Sequence, residues 1–167
     1  FSWRCWLCAV SRNGDGERVG YQEVWEMIIR KAIAEDLESV NILVNIHRKE
    51  FGFIRKVSLA CSIDRREMLV ADSSGEIIGF ARYHHRRDMQ TTLYDIAVSP
   101  AQRLNGVGRA LIGALADESR ILGKQTIVLR CPEELLANGF YAHMGFERWR
   151  EEPGKRRKLI VWRLSLS

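Results

Sequence analysis

The segment Asp95 to Arg109 constrains this chain more than any other. It reads Asp95-Ile96-Ala97-Val98-Ser99-Pro100-Ala101-Gln102-Arg103-Leu104-Asn105-Gly106-Val107-Gly108-Arg109, and its hydrophobic period changes partway. Thr91 to Val98 alternates and is partly β-branched, which predicts a strand. Pro100 cannot continue a central strand and marks its end. From Val107 onward, Leu111, Ile112, Leu115 and Leu122 fall at helical spacing, with Gly123 as the stop. A strand that turns into a helix presents the helix's unpaired N–H groups, with roughly half a positive charge, at the turn. An anionic group fits there. Gly106 and Gly108 lack a Cβ and let a phosphate approach the backbone, while Arg103 and Arg109 add charge-assisted hydrogen bonds. By itself, a G-x-G turn is equally compatible with an ordinary strand–helix connector.

Two nucleotide-binding patterns are excluded. The Rossmann fingerprint wants a small residue where Leu111 stands, and the P-loop needs Gly-Lys-Ser/Thr. Neither is present.

The rest of the chain supplies elements around this turn. Met27 to Ala32 predicts a strand, and Ala34-Glu35-Asp36 opens a helix with acidic residues in its first turn. Leu37, Val40, Leu43, Val44 and Ile46 give that helix a buried face. After a break at Phe51-Gly52-Phe53, a second short helix is expected around Ser58 to Arg66. Met68 to Ala71 and Ile77 to Tyr83 form a hairpin across Asp72-Ser73-Ser74-Gly75, and polar His84 to Gln90 reads as the next turn. Beyond the central helix come a strand at Thr126 to Leu129, a helix at Leu135 to Met144 stopped by Gly145, and strands at Phe146 to Trp149 and Leu159 to Leu164. The order β-α-α-β-β-β-α-β-α-β-β predicts an α+β domain with a mixed sheet, parallel where a helix intervenes between strands.

The length of 167 residues suits one domain. Residues 1–26, rich in Trp and Cys and then in turn formers, differ from the clean pattern after Met27. They read as an extension, native or not, ahead of a domain at 27–167. Cys5 and Cys8 form a lone C-x-x-C with no second pair to close a metal site, so no metal is expected. Reduced thiols suit the cytosol, and no apolar run reaches the roughly 18–20 residues a membrane span requires. A cytoplasmic enzyme is therefore expected. The formal charge of +5 comes partly from His84-His85-Arg86-Arg87 and Lys155-Arg156-Arg157-Lys158. These read as solvated hairpin tips rather than a nucleic-acid surface, because neither is interleaved with aromatics.

Three stretches carry a family likeness. Val98-x-Pro100-x-x-Arg103-x-x-Gly106-Val107-Gly108-x-Ala110-Leu111 closely resembles motif A of the GNAT N-acetyltransferase superfamily. Asn138-Gly139-Phe140-Tyr141-Ala142-His143-Met144-Gly145-Phe146 resembles its second signature, a helix ending in Tyr-x-x-x-Gly-Phe. Ile29-Arg30-Lys31-Ala32-x-x-Glu35-Asp36-Leu37 looks like its first strand and helix. The likeness covers about Met27 to Leu166.

The resemblance implies a GNAT-like fold with a splayed central sheet and transfer of an acetyl group from acetyl-CoA to a primary amine of a small molecule or peptide. The CoA pyrophosphate would lie on the backbone N–H groups of Arg103, Leu104, Asn105, Gly106, Val107, Gly108 and Arg109. The pantetheine arm would run along Asp95 to Val98, with the thioester near Ile96, Ala97 and Val98. Leu104 departs from the family, which often has Gly there; Leu is expected to take a standard backbone angle and tighten the turn. Tyr141 falls where many members carry the general acid, or is a packing residue. Asn138 either contacts the pantetheine or caps its helix. Asp95 is the candidate base, or a structural ion pair with a nearby arginine. His84 and His85 are the alternatives, whereas His143 reads as packing or surface.

Two other readings stand beside transfer: a CoA-binding module without activity, and a basic nucleic-acid-binding domain. No nucleic acid or membrane partner is expected from the resemblance. The acceptor amine and the oligomeric state, a homodimer included, are left open by the sequence.

Overall fold

A computed structural model describes residues 3–5 and 27–167. Strand β1 (Trp3–Cys5) is followed by β2 (Met27–Lys31), a 3-10 turn at Ala34–Asp36, and the helices α1 (Leu37–Ile46), α2 (Arg48–Phe51) and α3 (Lys56–Asp64). Next come β3 (Met68–Ser73), β4 (Glu76–His85), β5 (Gln90–Val98) and a 3-10 turn at Pro100–Gln102. Helix α4 (Val107–Ile121), β6 (Thr126–Pro132), α5 (Ala137–His143), β7 (Glu147–Pro153) and β8 (Lys158–Ser165) complete the chain.

The strands form one sheet in the order β1-β2-β3-β4-β5-β6-β8-β7. Only β5 and β6 are parallel, and α4 is the connection between them, as a parallel crossover requires. The expected mixed sheet is present from residue 27 onward in the expected order. Trp3–Cys5, within the stretch read as an extension, pairs antiparallel with Met27–Ile29 of β2. The Cys5/Cys8 reading lies outside the described residues, because Cys8 is not among them. Cys61 and Cys131 are free, and among the described residues no helix is long and apolar enough to cross a membrane.

Each sheet face buries its own core. Leu111, Ile112 and Leu115 of α4 join Tyr141 of α5, Leu93, Ile127 and Leu129 on one face. Val40, Leu43 and Val44 of α1 join Leu59 and Ile63 of α3, Val70 and Phe80 on the other. Several boundaries differ from expectation. The second helix lies at Lys56–Asp64 rather than 58–66, and a single helical turn, α2, precedes it. Strand β4 continues through His84 and His85, which had read as part of a turn.

Candidate functional site

Strands β5 and β6 begin as neighbours and then separate. Their ladder runs from Gln90↔Thr126 to Leu93↔Leu129 and stops. Beyond that point β6 stays with β8 as far as Pro132↔Leu159, while β5 stays with β4 up to Gly79↔Val98. Residues 94–98 of β5 therefore have no strand on their β6 side. The Ser99 amide donates to Ile78 on the β4 side at 2.8 Å. Strand alternation then turns the main-chain groups of Ile96 and Val98 toward the opening. The register shift between Arg82 and Tyr83 leaves Tyr94 as the extra residue on β5, and such a bulge re-aims a strand.

The opening leads to the start of α4. Gly106 caps that helix with φ 79 and no side-chain cap. Among the described residues, the backbone amides of residues 104–109 donate to no protein atom. Six consecutive free amides at a helix start are suited to seat an anion. The expected set Arg103, Leu104, Asn105, Gly106, Val107, Gly108 and Arg109 thus lies together at one end of the opening, next to Ile96, Ala97 and Val98.

One expectation about this turn is corrected. Leu104 adopts the left-handed region, φ 66, instead of a standard angle. Its side chain is wholly exposed, so the turn is not tightened and the seat is not plugged. Gly108 also has a packing reason to be small: a Cβ there would lie 3.0 Å from the Phe140 ring of α5.

The two arginines differ in their surroundings. Arg109 is exposed and contacts His143 at 3.1 Å. Arg103 donates to His47 Nδ1 at 3.2 Å and lies 3.9 Å from the Glu50 carboxylate. His47 is buried between α1 and α2, and its Nε2 lies 3.0 Å from the Val98 carbonyl. A carbonyl only accepts, so Nε2 carries a proton, while Nδ1 lies between the Arg103 guanidinium and the Glu50 carboxylate, 3.3 Å away. The helical layer is thereby pinned to the end of β5 at the site.

Tyr141 is buried in α5 between the rings of Phe140 and Phe146, and its hydroxyl has no hydrogen-bond partner among the described residues. Burial first, then the negative fields of Cys131, Asp95 and Glu50, push its ionisation well above the ordinary phenol range. The phenol keeps its proton. Burial, with Glu134 and Glu50, pushes the Cys131 thiol up to about 11.

Asp95 is held by Arg82, with contacts of 2.6 Å from Nε and 2.5 Å from the terminal nitrogen. Burial raises its proton affinity and Arg82 opposes that shift. Asn138 faces away from the opening. Its amide nitrogen donates to the carbonyls of Pro132, Glu133 and Leu135, and its oxygen accepts from Trp162. Both ends are used within the protein. His84 pairs with Glu67 at 2.5 Å, and His85 with Glu118 at 3.0 Å and Thr91 at 2.8 Å. Neither joins Tyr141 at the opening.

Sequence reasoning missed His47, Glu50 and Cys131. No local pattern reports that α2 folds back beside Arg103.

An acetyltransferase (GNAT) domain family matches residues 64–148, which include β5, the free amides and Tyr141. No curated protein matches the chain. Solved structures with the same fold include Ard1 from Thermoplasma volcanium, at TM-score 0.75 and 19% identity over 83% of this chain and 97% of that one. The ribosomal-protein-S18-alanine N-acetyltransferase from Escherichia coli is similar at TM-score 0.70 and 23% identity, over 84% and 94%. The paia N-acetyltransferase from Thermoplasma acidophilum, in complex with coenzyme A, gives TM-score 0.70 and 17% identity over 81% and 97%.

Proposed function

Because the chain belongs to the GNAT acetyltransferase family, we propose that residues 27–167 form an enzyme that moves an acetyl group from acetyl-CoA to a primary amine of a small molecule or peptide. The observation that carries the reading is the run of free amides at residues 104–109, opening onto the gap beside β5. A diphosphate fits that donor set, and Arg103 and Arg109 add charge at its rim. Acetyl-CoA supplies an activated acetyl group as a thioester.

The chain's own residues hold and move protons. Ile96 and Val98 present main-chain groups along the gap, suited to an amide-bearing arm. Tyr141 keeps its proton at neutral pH and gives it to the departing thiolate. Asp95 accepts a proton from the substrate ammonium, directly or through water, so that the neutral amine attacks the thioester, and Arg82 orients the carboxylate. Asn138 shapes the β6–α5 loop behind Tyr141.

Thermal unfolding with and without acetyl-CoA tests the binding step. Cofactor at about one hundred times its dissociation constant adds roughly 2.7 kcal/mol of stability. Tyr141→Phe should retain that shift and lower free-thiol release by about 10²–10⁴-fold. An unchanged rate would remove Tyr141 from the chemistry, and no shift with millimolar acetyl-CoA would remove the reading. The capture of Asp95 by Arg82 favours one alternative, a CoA-binding module without transfer. It predicts the thermal shift with no thiol release above solvent for any amine.

A further inference from the structure

Tyr94 and Arg130 sit at the vertex of the separating strands. Tyr94 follows Leu93, the last β5 residue paired with β6, and Arg130 follows its partner Leu129. Two hollows open there and share Tyr94 and His84. One runs beneath α3, past Arg55, Ser58, Ser62, Arg65 and Arg82. The other passes Arg86, Arg87 and Arg130.

Six arginines and two carboxylates, Glu67 and Asp88, line the two hollows. The carboxylates are already engaged: Glu67 by His84 at 2.5 Å and Asp88 by Arg86 at 3.4 Å. Arg82 has Asp95, and Arg130 has Glu152 at 2.7 Å. Arg55, Arg65 and Arg87 have no carboxylate within 4.0 Å among the described residues. Tyr94 is half exposed and carries the Arg82 guanidinium 5.4 Å from its ring centre. The surface therefore has an excess of fork-shaped donors around an aromatic platform. Such donors match carboxylate and phosphate oxygens two at a time, and they repel a cationic group of the same size.

We propose that these hollows hold the acceptor, and that the acceptor is an amine whose own molecule carries two or more negative charges as carboxylate or phosphate groups. The proposal rests on the acetyl-transfer reading above. The vertex is where an arm lying along residues 94–98 from the amide seat would end, so an acceptor in the hollows brings its amine to the acetyl group. Arg55, Arg65 and Arg87 supply the recognition. Asp95, neutralised by Arg82, leaves the approach free of net repulsion.

The test compares acceptors that each carry a primary amine and differ in charge. Triglutamate and O-phosphoserine are set against triglycine amide and spermidine, with acetyl-CoA and the full chain. The acidic acceptors should show KM values at least about tenfold below the neutral one, and spermidine the highest. Arg65→Ser with Arg87→Ser should raise KM for the acidic acceptors about tenfold and leave KM for acetyl-CoA within about twofold. Triglutamate against O-phosphoserine separates carboxylate from phosphate recognition. Preference for spermidine, indifference to acceptor charge, or an unchanged KM in the double variant would overturn the proposal.

A calorimetric titration of triglutamate into the protein keeps the question decidable if no amine is acetylated. Binding that the double variant loses supports the proposal, and no binding at millimolar peptide overturns it. Tight, salt-sensitive binding of a single-stranded RNA that triglutamate does not displace would also overturn it, in favour of a nucleic-acid surface. Loss of the acetyl-CoA thermal shift bears on the transfer reading alone.

Discussion

The indole N–H of Trp162 on β8 donates to the side-chain oxygen of Asn138 on α5 at 2.8 Å. Through the three carbonyls that its nitrogen reaches, Asn138 also fixes the loop from Pro132 to Leu135. Asn138→Ala leaves the buried indole N–H unpaired and should cost about 1–3 kcal/mol. A thermal scan should register a Tm lower by roughly 3–10 °C. KM for acetyl-CoA should stay within about twofold, since the side chain faces away from the gap. A large rise in KM at unchanged Tm would instead put Asn138 against the pantetheine.

Gly108 and Phe140 set a second test. A Cβ at 108 would meet the ring at 3.0 and 3.2 Å. Overpacking costs about 1–3 kcal/mol, against a gain near 1 kcal/mol for Ala over Gly in a helix. Gly108→Ala should therefore destabilise the protein by roughly 1 kcal/mol. With Phe140→Leu in the background, the clash goes and the same change should stabilise. Denaturant midpoints of the four proteins give the answer, and one sign in both backgrounds would refute the contact.

The sequence makes legible those parts of the fold that are set by local chemistry. Pro100, Gly106 and the helical period from Val107 define a strand–turn–helix whose free amides need no distant residue, and the strand end and helix start lie where expected. Tyr141 is legible through its motif. What depends on long-range pairing is not. Strand β7 is exposed along nearly its whole length, so no alternation marks its extent to Pro153; β8 holds it by backbone bonds. The order β6-β8-β7, the separation of β5 from β6, and the return of Glu50 to Arg103 are decided by contacts between residues far apart in the chain. The left-handed Leu104 is hidden for a related reason: propensity favours an ordinary angle, and the turn overrides it.

That override can be measured at Leu104. A left-handed non-glycine residue costs roughly 1–2 kcal/mol, and the exposed side chain gives up no packing on removal. Gly relieves the strain but adds about 0.5–1 kcal/mol of backbone entropy to the unfolded chain. Leu104→Gly should therefore be neutral or stabilising by up to about 1 kcal/mol. Leu104→Val, with branching at Cβ, should destabilise by at least about 1 kcal/mol. Urea unfolding of the two variants checks both signs. Destabilisation by Gly would mean that the Leu104 side chain makes a contact in solution.

Acid titration tests the part-buried network around Glu118. Glu118 of α4 accepts from Lys31 at 2.6 Å, from Tyr83 at 2.9 Å and from His85 at 3.0 Å. Burial works against its charge, but these donors outweigh it and bring the carboxyl from 4.5 down to about 2. A carboxyl depressed in the folded state binds fewer protons there than in the unfolded chain, so stability rises with pH across the gap. The contribution is complete above pH 4.5 and disappears as pH falls from 4.5 toward 2. Other carboxylates also titrate in this range, so the informative quantity is a difference. Glu118→Gln keeps the shape and removes the titration. Its stability deficit relative to the parent should be largest at neutral pH and shrink between pH 4.5 and 2. Urea midpoints of the two proteins at pH 7, 5, 4 and 3 measure that deficit, and one that stays constant with pH would show that Glu118 is not held ionised by Lys31, Tyr83 and His85.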